Sequence, residues 1–153
     1  MQLCLNYATA TLEQCIAAAH QEEQLAETES LQCPLTLLFD TTFRTTTIET
    51  LPLKLVIQLK RFSVSGKNNK AVKIPRILKI HSATQGYVHY NLTAAIIHHG
   101  SLHQGHYTAI TFSQHPESIV YCDDAATRAI SWATAENLLQ QGYVLAYSRR
   151  TQN

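Results

Sequence analysis

The stretch from Leu51 to Phe62, LPLKLVIQLKRF, alternates apolar and polar residues with the period of a strand. Leu53, Leu55, Ile57 and Leu59 share one face and Lys54, Gln58 and Lys60 the other, so the segment reads as a strand with one buried and one wet side. Strand-length apolar runs recur downstream. Short strands are expected at 71–74 and 77–81, separated by Pro75, and a longer one at 88–98 with Tyr90, Leu92, Ala94 and Ile96 on one side. Two more, 106–113 and 118–122, are joined by QHPE, in which Pro116 takes a permitted turn position, and Tyr143 to Ser148 closes the series.

Helical signals occur in two places. Over 11–26, Leu12, Cys15, Ile16 and Ala19 recur at helical spacing, and Thr11 with Gln14 makes a capping box. Glu22, Glu23, Glu27 and Glu29 thicken its polar side, and Pro34 forbids continuation. Near the C-terminus Thr134 is expected to cap a short helix through Gln141, with Gly142 as its left-handed stop. Residues 35–51, rich in threonine, suit one or two strands of a hairpin turning at Asp40, and SVSGKNNK marks an exposed loop. One N-terminal helix followed by mostly antiparallel strands predicts an α+β fold, and 153 residues supply one core rather than two.

Twelve Lys and Arg against eleven Asp and Glu leave a formal charge of +1, which gives no field to draw the chain to nucleic acid or an anionic membrane. No apolar run nears the roughly 18 residues of a membrane span, and MQLCLNYATA lacks the basic flank and apolar run of a signal peptide. Cys4, Cys15, Cys33 and Cys122 are irregularly spaced, as expected of reduced thiols in a cytoplasmic or nuclear chain.

Chemistry concentrates in IHHGSLHQGHYTAITFSQHPESIVYCDD, residues 97–124. His98, His99, His103 and His106 crowd together, yet Gly100 and Gly105 deny them a helix on which ligands could stack. No second cluster completes a tetrahedral set, so no metal is assigned. His106 differs from its neighbours. Gly105 lets the backbone approach a ligand closely, and Tyr107, Ala109 and Thr111 run into a strand rigid enough to fix the imidazole. Asp123 and Asp124 end the following strand; Asp123 is 17 residues on from His106, a separation that fits one strand, a tight turn and the antiparallel return. Asp123 can then reach His106. An imidazole held by a carboxylate is the general-base part of a thiol or serine hydrolase. On the residues alone, a loop-edge histidine with one hydrogen bond and a solvated acidic strand end fit the same text.

Five motifs in order resemble the ubiquitin-specific protease family, cysteine deubiquitinases whose papain-like domain comprises thumb, palm and fingers. LPLKLVIQLKRF is similar to the family's strand ending in Lys-Arg-Phe, and Tyr90-Asn-Leu-Thr-Ala-Ala-Ile-Ile-His98 to its next palm strand. Gly105-His106-Tyr107-Thr108-Ala109 resembles its histidine box, Tyr121-Cys122-Asp123-Asp124 its acidic box, and Tyr143-Val144-Leu145-Ala146-Tyr147 its closing strand. LEQCIAAAHQEEQL is similar to the helix that enters the fingers. The resemblance implies a fingers-and-palm half, with 1–50 entering the fingers and 51–150 forming the palm. It implies His106 as general base and then acid, with Asp123 orienting it and Asp124 second in line for that task. Gly105 and Tyr107 would border the channel for the extended ubiquitin tail. The partner implied is ubiquitin or a ubiquitin-conjugated protein, and no cofactor is needed. Where family members often carry two Cys-x-x-Cys pairs for zinc, this chain has only Cys33 before Pro34, which implies fingers without metal.

The family's nucleophile box and thumb find no match here. Cys15 lies on the apolar stripe of its helix, Cys4 lacks the glycine-asparagine context, and Cys122 should point away from the face of Asp123. Three expectations follow: a fragment of an active deubiquitinase whose separate thumb segment brings the cysteine, a non-catalytic ubiquitin-binding module, or an inactive remnant.

Overall fold

The computed structural model describes residues 1–4, 10–26, 29–64, 66–101, 104–114 and 117–150, the side chains of Cys4 and Gln114 excepted. Glu27, His103, and His115 and Pro116 of the expected QHPE turn lie outside the described residues. In chain order the elements are β1 (Gln2–Cys4), α1 (Leu12–Ala19), β2 (Glu23–Gln24), β3 (Phe43–Arg44), β4 (Lys54–Lys60), β5 (Phe62–Ser63), β6 (Gly66–Lys67) and β7 (Ile77–Ser82). Then follow β8 (Gly86–Gly100), β9 (Gly105–Gln114), β10 (Glu117–Asp123), β11 (Ala126–Ala129), α2 (Trp132–Leu139) and β12 (Gly142–Arg149). Eight strands make one sheet in the order β1-β4-β12-β8-β9-β10-β11, with β7 also on β8. Every pairing in it is antiparallel except β1 with β4. The α+β expectation holds, with a second helix at the C-terminal end.

Period-two alternation delivers the core. Leu55, Ile57, Leu59, Ile97, Ile110 and Leu145 are buried and pack into one cluster with Leu12, Cys15 and Ile16 of α1 and Ala135 and Leu139 of α2. Two buried tyrosines keep their hydroxyls paired: Tyr90 donates to Pro52 O at 2.5 Å and Tyr147 to Pro75 O at 2.8 Å. Burial raises the pKa of both.

Several expectations are corrected. Leu53 is 70% exposed, because β4 begins only at Lys54 and residue 53 is outside the pleat. In β8, Tyr90 and Leu92 are buried as expected, but Ala95 and Ile97 replace Ala94 and Ile96, and Ile96 is 40% exposed. The cause is a bulge: Tyr147 pairs with Leu92 and Ala146 with Ala94, so Thr93 is the extra residue and the alternation changes phase there. Helix α1 keeps its Thr11–Gln14 capping box but ends at Ala19, not 26. The acidic run that follows is unfavourable at a helix C-terminus, and His20 turns away to bond Thr46 O through Nδ1 at 2.8 Å.

Residues 71–74 form no strand beyond an isolated bridge at Lys73, and the hairpin expected over 35–51 reduces to β3, which pairs with β2. The C-terminal helix is capped by Ser131, whose hydroxyl accepts from Thr134 N at 3.2 Å. That start brings Trp132 into the helix, where its ring meets Phe112 edge-on at 6.0 Å. Gly142 opens β12 without a left-handed backbone. Its missing side chain matters for packing, since a Cβ would sit 3.0 Å from Leu139 O.

Candidate active site

The hairpin β9–β10 pairs Cys122 with Ala109, so the next position sets Asp123 opposite Thr108 and diagonal to His106 on the same face. His106 Nε2 donates to Asp123 Oδ1, closing the pair across two strand ends. Both side chains are about half exposed, at 47% and 43%. The hydrogen bond to Asp123 raises the His106 pKa above its ordinary 6.5, the charges of Asp123 and Asp124 add to the rise, and burial opposes it. Among the described residues none bonds Nδ1, so that nitrogen is the one open to chemistry.

Asp124 follows in the two-residue turn between β10 and β11, with φ of 49°. Aspartate tolerates this left-handed conformation better than most residues, so the turn itself explains an acid there. Its carboxylate nonetheless stays close, because a ring nitrogen of His106 and a carboxylate oxygen from each of Asp123 and Asp124 all lie within 4.8 Å of one another. Cross-strand from His106 is His99, whose Nε2 bonds the Thr108 hydroxyl at 3.0 Å.

Gly105 and Tyr107 flank the histidine. Tyr107 points to the opposite face and is 54% exposed, its ring 4.7 Å from that of buried His98. The space a Cβ would take at Gly105 is filled by the His98 ring, whose Cε1 lies 2.5 Å from that point. None of the described thiols shares the site. Cys15 is 1% exposed in the core, Cys122 is paired with Ala109 on the face opposite Asp123, and Cys33 lies in the turn with Thr36. Hydrogen bonds from the Thr36 hydroxyl and from the Thr36 and Leu35 amides lower the Cys33 pKa.

Residues 4–147 match the family described as ubiquitin carboxyl-terminal hydrolase. The chain belongs to that family. It is 31% identical over 161 residues to ubiquitin carboxyl-terminal hydrolase 5 of Saccharomyces cerevisiae, covering 92% of this chain and 20% of the relative. Human ubiquitin carboxyl-terminal hydrolase 31 is 30% identical over 176 residues, 94% of this chain and 13% of the relative. A solved yeast SAGA DUB module carrying a mutant Sgf73 superposes with a TM-score of 0.85 at 25% identity, over 99% of this chain and 35% of the solved one. The SAGA Ubp8/Sgf11/Sus1/Sgf73 module bound to ubiquitin aldehyde shares the fold, with a TM-score of 0.82 at 24% identity over 99% and 36%. The chain thus spans about a fifth of its first curated relative and about a third of these solved chains.

In this ubiquitin carboxyl-terminal hydrolase domain, sequence reasoning gave no task to three residues that brace the strand ends around β4, β6 and β8. Arg61, 1% exposed, spends its guanidinium on backbone carbonyls: Nε donates to Gly142 O at 2.7 Å, Nη1 to Lys70 O at 2.7 Å and Asn68 O at 3.2 Å, and Nη2 to Gln140 O at 2.8 Å. Burial pulls its pKa down to about 10. It ties the end of β4 to the C-terminus of α2 and the start of β12, where its charge also suits the helix dipole. Lys67 Nζ donates to His98 O at 2.6 Å and Gly100 O at 3.2 Å, and His98 is the third. The Lys-Arg-Phe motif and the double histidine were the available signals.

Proposed function

We propose that this chain supplies the base and its orienting carboxylate to a cysteine-type deubiquitinase that cleaves after the C-terminal glycine of ubiquitin. The observation that carries the reading is the His106–Asp123 pair at the open end of β9 and β10, with Nδ1 unbonded among the described residues. Within it, residues 51–150 act as palm and 1–50 lead into the fingers, in a cytoplasmic or nuclear setting that suits free thiols. The described residues contain no helix long and apolar enough to cross a membrane.

The chemistry assigns each atom a task. A cysteine from outside the described site loses its proton to Nδ1 of His106, and the thiolate sulfur bonds to the glycine carbonyl carbon. The new imidazolium keeps its Nε2 proton on Asp123, which stabilises the charge and holds the ring in the tautomer with Nδ1 as acceptor. Collapse breaks the carbon–nitrogen bond, and the departing amine takes the proton from Nδ1. Water, deprotonated by His106, then hydrolyses the thioester and returns the thiol. Gly105 and Tyr107 border the channel that grips the extended tail through backbone hydrogen bonds, and Asp124 reinforces the negative field at the ring.

The test is a chimera in which residues 4–147 replace the matching segment of the yeast hydrolase that is 31% identical. The chimera hydrolyses a ubiquitin fluorogenic amide, and His106→Ala lowers kcat/KM by about 100-fold or more. Hydrolysis that survives the substitution unchanged overturns the reading. A second reading, ubiquitin binding without chemistry, is favoured by the apolar side chains exposed on residues 31–43, where Leu31, Leu35, Leu37 and Leu38 are each at least 67% exposed. Calorimetry of the chain with ubiquitin tests it, with binding but no hydrolysis as its signature.

A further inference from the structure

We propose that His98 is a positioning residue, an aromatic wedge that sets the height of the Gly105–His106 strand end and so lets His106 meet Asp123. The inference rests on the base-and-carboxylate reading above, and assigns a task to a side chain which that reading leaves unused.

His98 is 6% exposed, although it sits at the end of its strand and on the sheet face away from the core. Rings enclose it: Phe62 meets it edge-on at 5.1 Å and Tyr107 tilts against it at 4.7 Å, while Phe62 in turn meets Tyr143 at 5.4 Å. Its backbone is pinned as well, since Lys67 Nζ holds His98 O and Gly100 O together. The wedge therefore has a fixed seat. Its far edge lies where a side chain at residue 105 would begin, with Cε1 2.5 Å from the ideal Cβ position and Nε2 nearer still. Gly105 has no left-handed backbone, so the demand for glycine comes from this contact and from His99 O, 2.7 Å from the same point. The register His98–Tyr107, His99–His106 and Gly100–Gly105 makes the glycine the last rung before the catalytic histidine. A strand end raised by an occupied residue 105, or dropped by a missing ring, carries His106 off its diagonal to Asp123.

The polar atoms of His98 do not explain its presence. Nδ1 is buried without a hydrogen-bond partner among the described residues, which is unfavourable for a polar atom. Burial, then the charges of Lys67 and His99, lower the pKa of the ring. What remains is its flat shape.

The readout is the titration midpoint of His106, followed by NMR on its ring protons in the intact chain. The groups that face His106 are Asp123, Asp124 and, across the strand, His99. Asp123→Asn is the control: it returns the midpoint toward 6.5, and an unmoved midpoint there defeats the base-and-carboxylate reading without touching His98. His98→Ala moves the midpoint in the same direction, as does the milder His98→Asn should the alanine variant fail to fold. His98→Phe, which keeps a ring and discards both nitrogens, leaves it near the wild-type value. Gly105→Ala lowers it, and His98→Ala in the same chain restores part of the loss because the new methyl group fills the vacated space. A merely structural histidine would change thermal stability and leave the midpoint of the folded protein alone. A wild-type midpoint in both His98→Ala and His98→Asn, or a loss in His98→Phe as large as in His98→Ala, overturns the proposal.

Discussion

The sheet and the segment from Leu31 to Phe43 contain similar apolar side chains and treat them in opposite ways. Ile57, Ile110 and Leu145 are fully buried, whereas Leu35 is 93% and Leu31 72% exposed. In the sheet, registered pairs repeat every two residues, so each new strand adds apolar area to a face already dry. The segment is held by polar bonds instead: Gln32 Nε2 donates to Leu37 O at 2.8 Å, Cys33 N to Leu38 O at 2.8 Å, and Leu37 takes φ of 59°. Its fold does not depend on hiding its leucines, which leaves them for contact with another surface.

Three predictions probe this contrast. The largest effect belongs to Arg61, where the sheet relies on a buried charge rather than apolar area. Arg61→Met strands four backbone carbonyl contacts and is expected to cost about 4 kcal/mol or more in urea unfolding. A loss below about 1 kcal/mol would show that water replaces the guanidinium freely. Next comes a direct pairing of the two regions. Ile110→Ala should destabilise by about 2–5 kcal/mol through the cavity it leaves, while Leu35→Ala should stay within about 0.5 kcal/mol and instead weaken ubiquitin binding. Equal losses of stability at both sites would erase the distinction.

The smallest effect is at the His106 pair. Because the folded pKa is raised above 6.5, the pairing stabilises the fold fully below the unfolded value, and that contribution is lost as pH rises through the folded one. Asp123→Asn should therefore narrow the stability gap between pH 6 and pH 8 relative to wild type, a difference readable in paired denaturant curves. An unchanged gap would mean that solvent screens the pair completely at this exposed site.

Much of this was legible in the residues. The alternation of Leu55, Ile57 and Leu59 named its own strand, and Thr11 with Gln14 named a helix start, because local chemistry alone decides such features. The His106–Asp123 pairing was also legible, since a hairpin's length dictates which residues meet at its open end. Other features depend on distant partners. Nothing near Thr93 announces a bulge, since it reflects how β12 runs beside β8, and β1 joins the sheet only because β4 offers it a free edge. Arg61 reads as one more basic residue until the carbonyls of residues 68, 70, 140 and 142 gather around it.

By itself the sequence determined which segments could alternate, where a helix could start and which histidine could find an acid, all properties of neighbours along the chain. Tertiary packing chose the face each residue of β8 shows, buried an arginine against backbone carbonyls and slid the His98 ring under Gly105. Those outcomes arise from steric exclusion and hydrogen bonding between residues far apart in the chain, for which no local pattern carries a code.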